Sequence, residues 1–197
     1  MEGKFQMTTA RKGLATLVVV GVTGALAAFG TFAAFSDTTT NSGNQFTAGT
    51  VTLTNNSTSA MFNNVTGGTP GGAATDRCIK VVYTGSLTST LKLYTTDAST
   101  GPLSQYVDVT ITPGTYSGPD PAFPDCTGFT PDAGGAIYTG TLAAFQSGKN
   151  SYANGVTALT SPGAVYKFSY SINSSAPDTV QGATTGSHSY TWEARSN

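Results

Sequence analysis

The sequence predicts an all-β fold, an antiparallel sandwich of two sheets. In residues 46–197, short runs alternate apolar and polar side chains at the period of two that is typical of strands. Clusters rich in Gly, Pro, Asn and Ser separate these runs, as turns do. No run in this region repeats its apolar residues at the helical period, so we expect no helix there. Short alternating strands joined by such turns are typical of β-sandwiches.

Seven runs fit the strand pattern. In chain order they are residues 46–53, 78–83, 91–94, 106–111, 136–142, 165–172 and 188–194. The first is rich in threonine but contains Gly49, which weakens a strand interior. In the second and fourth, one face carries only apolar or aromatic residues, namely Ile79, Val81 and Tyr83, then Val107, Val109 and Ile111. The third directs Lys92 outward, and the fifth continues the same alternation.

The last two runs are aromatic on one face. Aromatic side chains at period two on neighbouring strands are typical of a sheet core. We therefore expect five aromatic residues in the core: Tyr166, Phe168, Tyr170, Tyr190 and Trp192. The longest stretch without alternation, residues 114–135, holds four prolines and is predicted to be irregular.

The N-terminal part has the layout of a secretory signal. Basic residues precede an apolar run at 14–29, and the small residues Thr31 and Ala33 stand at the −3 and −1 positions of a cut. We expect cleavage between Ala33 and Ala34. The chain then divides into a signal peptide of residues 1–33, an N-terminal arm of residues 34–45 and a sandwich domain of residues 46–197. An uncleaved anchor stays an alternative, because the stretch from Leu14 to Phe35, about 22 residues, is long enough to span a bilayer.

The composition excludes some classes of partner. Only 10% of the residues are charged, and the formal net charge is −1. Phosphate binding needs clustered Lys and Arg, so nucleic acid is not an expected partner. A nearly neutral surface also gives little repulsion between copies and so tolerates self-association.

Both cysteines, Cys78 and Cys126, follow the predicted cut. In an exported protein, two cysteines indicate one disulfide, and the alternative is a pair of buried thiols. The bridge would stabilise the fold by roughly 4 kcal/mol in the chain-entropy model. No second ligand pair stands at zinc spacing, so we expect no metal site at these cysteines.

The sequence offers no catalytic constellation. Its single histidine, His188, lies at the start of the last predicted strand, where we expect a rim position. Asp120, Asp125 and Asp132 do not have the spacing of a calcium loop and are expected to be solvated. We therefore expect a protein that is not an enzyme and that needs no cofactor or metal.

Several motifs resemble the TasA/camelysin family of secreted biofilm-matrix fibre proteins. The most specific is GTFAAFSD at 30–37, around the predicted cut, followed by FTAGTVTL at 46–53. Weaker similarities are the Pro70-Gly71 turn, TGSL at 84–87 (where Tyr83 replaces the family's Asn), YTGTL at 138–142, and Gln181-Gly182 before the final Trp192-Glu193-Ala194.

The resemblance implies a jelly-roll-like sandwich that is released by a dedicated signal peptidase and acts in the extracellular matrix or at the cell surface. It also implies head-to-tail polymerisation of the protein with itself by donor-strand exchange, with the membrane involved only during export. The donor arm would be formed by Ala34, Phe35, Ser36, Asp37, Thr38, Thr39 and Thr40. Physically, an extended peptide can complete an open sheet edge, and head-to-tail contacts that do not close give filaments.

Two other functions stay open. Arg11-Lys12-Gly13 before the apolar run resembles the start of a type IV prepilin, although Val18 occupies the place of the usual Glu. That reading puts the mature N-terminus at Leu14, whereas the donor-strand fibre puts it at Ala34. The third reading is a monomeric secreted adhesin or carbohydrate-binding sandwich, which would form no polymer.

Overall fold

Two antiparallel sheets make up the described part of the chain. The computed structural model describes residues 48–62, 65–66, 68–97, 101–158 and 164–197, which all belong to one unit, Ala48–Asn197. The strands of these ranges are β1 (Leu53–Asn55), β2 (Thr75–Tyr83), β3 (Ser89–Tyr94), β4 (Val107–Tyr116), β5 (Phe129–Pro131), β6 (Tyr138–Thr141), β7 (Val156–Thr157), β8 (Ala164–Ile172) and β9 (Thr191–Ser196). One α-helix, α1 (Leu142–Gly148), and two 3₁₀ helices, Pro102–Gln105 and Asp178–Val180, complete the elements.

Every strand pairing in the described residues is antiparallel. The larger sheet has the order β1-β2-β8-β4-β5, and β6 also pairs with β4. The two short strands share one edge of β4, because β6 pairs with Asp108–Ile111 and β5 with Gly114–Tyr116. The smaller sheet has the order β7-β3-β9. The prediction of an all-β, two-sheet architecture is therefore confirmed.

The core lies between the two sheets. The larger sheet contributes Ile79 and Val81 of β2 and the predicted apolar face of β4, and the smaller sheet contributes Leu91 and Leu93 of β3. Tyr166 and Phe168 of β8 are fully buried, while Tyr170, Tyr190 and Trp192 are partly buried and pack against the same cluster. Burial of each large apolar side chain stabilises the fold by roughly 1.5–3 kcal/mol. The aromatic core predicted from the alternation is confirmed.

The helix α1 corrects the expectation that residues 46–197 contain none. Thr141 caps it, since its hydroxyl oxygen accepts a hydrogen bond from the Ala144 N–H at 3.1 Å. Leu142 and Phe145 are buried on the side that faces the core. Seven residues are too few to show a helical repeat, and so short a helix depends on packing. In the described ranges, no helix has the length and apolar character needed to cross a membrane.

The stretch expected to be irregular, residues 114–135, is partly a hairpin. β4 continues to Tyr116, and β5 pairs back onto its end. Pro113 lies inside β4 between the residues that pair with β6 and with β5, so its missing N–H interrupts neither pairing. At Gly114, a Cβ would come within 2.2 Å of the Thr130 carbonyl oxygen, which is why a glycine stands in this strand. The sequence analysis interpreted glycine and proline as turn signals, and for this reason it did not predict that β4 continues through Pro113 and Gly114.

Candidate assembly site

The predicted cleavage junction, Ala33 and Ala34, and the predicted donor arm, residues 34–40, lie outside the described residues. The described residues can therefore show only whether the sandwich offers a strand edge to which such an arm could pair. Such a receiving site is an open strand edge, where backbone N–H and C=O groups lack partners within the sheet. The described edges differ in how far they are covered.

One part of the β2 edge is closed by a disulfide-bonded loop. Cys78 and Cys126 form the disulfide that the sequence predicts, and Cys78 is fully buried. The bridge holds residues 117–128, here called the disulfide loop, against β2. The Cys78 N–H donates a hydrogen bond to the carbonyl oxygen of Pro124 at 3.0 Å. An incoming strand would have to displace this loop before it could pair here.

The next part of the β2 edge is closed by an asparagine. The Asn56 side-chain oxygen accepts from the Lys80 N–H at 2.9 Å, and the Asn56 N–H donates to the Lys80 carbonyl at 3.2 Å. The Lys80 ammonium also forms an ion pair with Asp120 in the disulfide loop. Both backbone groups of Lys80 therefore have partners within the subunit.

Among the described residues, no strand pairs with the outer edge of β1. The Thr50 carbonyl accepts from the Ser86 N–H at 2.9 Å, and the Thr52 carbonyl accepts from the Thr84 N–H at 3.0 Å. Because alternate residues of an antiparallel strand bond to the same neighbour, the backbone groups of the intervening residues point away from β2. These residues are Val51, Leu53 and Asn55. Among the described residues, none hydrogen-bonds to their N–H or C=O groups.

Apolar side chains flank this open edge. Val51 is 40% exposed and Leu87 is 38% exposed, which makes them two of the three exposed large hydrophobic residues of the described ranges. Gly49 lies against Leu87, since a Cβ there would come within 2.2 Å of the Leu87 side chain. The sequence TVTLTNN at 50–56 contains no charge and no proline. Natural edge strands usually carry charged residues or prolines, which prevent pairing with another chain. The β1 edge lacks both.

The outer edge of β9 likewise has no paired strand in the described part of the chain, but it carries charge. The Ala158 N–H donates to the Leu91 carbonyl at 2.9 Å, so alternate β3 residues face β7 and those between them face β9. By the same alternation, Trp192, Ala194 and Ser196 direct their backbone groups away from β3. Beside them lie Glu193 and Arg195, which form an ion pair at 2.7 Å.

These two charged residues have further contacts on the outer face of the smaller sheet. The Tyr94 hydroxyl donates to the Glu193 carboxylate at 2.6 Å, and the Arg195 guanidinium lies 4.0 Å from the centroid of the Tyr152 ring. The hydrogen bonds from Arg195 and Tyr94 hold the pKa of Glu193 below its usual range. The face therefore stays charged at neutral pH.

His188 lies in a hydroxyl network and not beside a nucleophile. Its Nε2 is 3.0 Å from the Tyr170 hydroxyl, which also contacts the Tyr190 hydroxyl, and its Nδ1 is 3.3 Å from the Gly186 carbonyl oxygen. Burial lowers the pKa of His188, opposed by the Gly186 carbonyl and by Asp97. A neutral ring fits this arrangement, with Nδ1–H donating to Gly186 and Nε2 accepting from Tyr170. The network ties the segment before β9 to β8.

The three aspartates named from the sequence have separate partners. Asp120 pairs with Lys80, the Asp125 carboxylate accepts from Thr127 at 3.0 Å, and the Asp132 N–H donates to the Pro113 carbonyl. Within the described ranges, no group of three or more His, Cys, Asp or Glu residues is placed to hold a metal ion.

Comparison with models of known protein families gives no match to the chain, and comparison with curated proteins gives none either.

Proposed function

We propose that the chain is a secreted structural protein with a jelly-roll-like course of strands, which polymerises head-to-tail into extracellular, biofilm-matrix fibres. Signal peptidase cleaves between Ala33 and Ala34 and frees the arm of residues 34–40. The arm of one subunit then completes a sheet of the next by donor-strand exchange. The protein is not an enzyme, uses no cofactor, and contacts the membrane only through its signal segment during export.

The observation that carries this proposal is an uncharged strand edge on which three residues have no backbone partner among the described residues, and which is flanked by exposed aliphatic side chains. An extended peptide that pairs with such an edge gains main-chain hydrogen bonds, and its side chains gain specificity from neighbouring pockets. A sparsely charged surface supports close approach of copies. The disulfide is consistent with an oxidising compartment.

Magnitudes indicate what the arm must supply. Three outward residues offer six backbone groups, and each new hydrogen bond contributes about 0.5–1.5 kcal/mol net. Association itself costs about 4–15 kcal/mol before any contact is counted. Hydrogen bonds alone therefore leave a marginal complex. Burial of the Phe35 ring, worth about 1.5–3 kcal/mol, would decide whether arms stay bound at cellular concentrations.

Two measurements on the exported protein test the proposal. Terminal sequencing is expected to give Ala34, and negative-stain microscopy is expected to show filaments of the processed chain. The matched control is a chain that begins at Asn41 and lacks the arm, which is expected to stay monomeric. Filaments from this control would contradict the proposal. A terminus at Leu14 would favour the pilin-like filament instead, and a processed chain that never polymerises would favour the monomeric adhesin.

A further inference from the structure

The geometry points to the edge of β1 as the acceptor of the arm. We infer that residues 34–40 of a second copy pair with Thr50–Asn56, referred to here as the β1 edge, and that Phe35 packs near Val51 and Leu87. This inference rests on the proposed function, because it names the surface at which the proposed arm binds. The other described edges are each less suited.

The competing edges are short, covered or charged. β5, β6 and β7 have three, four and two residues, and β5 ends in a proline, which cannot donate. The β2 edge is covered by Asn56 and by the disulfide loop. The β9 edge has enough length but lies beside Glu193 and Arg195. Short strands, charges and prolines are the devices by which natural sheets prevent edge pairing.

β1 itself has only three residues, but hydrogen bonds of Thr50, Thr52 and Asn56 extend its pairing with the β2 segment. The resulting edge contains no charge and no proline, and in this it matches the arm. Residues 50–56 are uncharged, and residues 34–40, AFSDTTT, contain one charged side chain, that of Asp37, and three β-branched threonines. The aromatic ring of Phe35 is the arm's one large apolar group, and Val51 and Leu87 are the exposed apolar side chains at the receiving edge. Covering all three removes apolar surface from water on both sides of the contact.

The length of chain between arm and strand sets how copies can be connected. Seven residues, 41–47, separate the arm from Ala48, and a fully extended segment of that length spans at most about 24 Å. The arm therefore reaches only an acceptor edge that lies within about 24 Å of Ala48 of its own subunit. If each copy passes its arm to the next, the contact is heterologous and gives an open filament. Reciprocal exchange between two copies would give a closed dimer.

Two matched proline substitutions in the processed, full-length chain test the assignment. Val51→Pro removes an N–H that points away from β2, so no intramolecular ladder bond is lost. Ala194→Pro removes the equivalent outward N–H on the β9 edge. We expect both variants to remain folded by circular dichroism. Val51→Pro is expected to raise the critical concentration for polymerisation at least about tenfold, while Ala194→Pro leaves it unchanged.

The outcomes separate this inference from the proposed function. If Ala194→Pro blocks polymerisation and Val51→Pro does not, or if both variants polymerise normally, the β1 assignment is overturned. In that case, an armless chain beginning at Asn41 that stays monomeric still supports arm exchange. Should Val51→Pro fail to fold, Val51→Lys places a charge on the same edge with the backbone intact, and normal polymerisation of that variant would equally overturn the assignment. A closed dimer formed by reciprocal exchange would agree with the β1 edge as acceptor but would contradict the proposed fibre.

Discussion

Removing the Cys78–Cys126 bridge should destabilise the sandwich by a calculable amount. The two cysteines are 48 residues apart in sequence, and in the chain-entropy model a closed loop of that size stabilises the folded state by about 4 kcal/mol at 25 °C. For a domain of this size, each kcal/mol shifts the melting temperature by about 2–4 °C. We therefore expect a decrease in melting temperature of roughly 8–16 °C.

The assay is thermal unfolding of the processed protein by circular dichroism, with and without a reducing agent, beside the double variant Cys78→Ala/Cys126→Ala. Reduction and the double substitution release the same loop constraint, so they should give similar shifts. The variant has a further small loss, because Cys78 is fully buried and alanine leaves its space partly empty. A shift below about 4 °C in both experiments would refute the reasoning, since it would mean that other contacts already order the disulfide loop.

Three further predictions concern single residues. Because burial lowers the pKa of His188, the unfolded chain binds more protons than the folded one. The free energy of unfolding should therefore be highest above about pH 6.5 and fall as the pH decreases below it. In denaturant titrations, His188→Gln should reduce this dependence of the free energy of unfolding on pH. Phe35→Ala should abolish filaments in negative stain while the monomer keeps its melting temperature, and unchanged filaments would exclude Phe35 as an anchor. Thr141→Ala should lower the free energy of unfolding by about 1 kcal/mol through loss of the α1 cap, whereas Thr139→Ala serves as the neighbouring control.

The strands that the sequence predicts well are those with strict alternation over several residues. The inward face of β4 and the aromatic face of β8 follow directly from period two, because one face of each strand packs against the other sheet. The first predicted strand, 46–53, is displaced in its described part, since regular strand structure there begins at Leu53 and ends at Asn55. Residues 48–52 are exposed, so no burial pattern marks where the strand begins.

The elements that the sequence misses depend on distant partners. α1 is fixed by one cap and by the burial of Leu142 and Phe145 against strands far along the chain, which no local period reveals. β5 is fixed by its pairing with the end of β4, across a loop that the disulfide holds. Local propensity cannot predict either one, because both are decided by tertiary packing.

One part of the candidate site can be predicted from local sequence, and the other part depends on the fold. The proposed arm at 34–40 is predicted from the sequence alone, because a signal-peptidase motif and β-prone residues are local features. An edge cannot be recognised in this way, since its position depends on the order in which strands pair. Once the order places β1 outermost, its lack of charge and proline becomes informative.

Besides stabilising the fold, the disulfide holds a loop over part of the β2 edge. β1 pairs with Val81–Tyr83 of β2, Asn56 pairs with Lys80, and the loop that Cys126 anchors pairs with the Cys78 N–H. If the loop is released, the backbone groups of β2 near Cys78 lose a partner and can pair with another chain. Reduced protein should therefore associate even without its arm, whereas oxidised protein that begins at Asn41 should not. Light scattering of the armless chain before and after reduction measures this difference, and equal scattering in both states would show that the disulfide loop does not guard the edge.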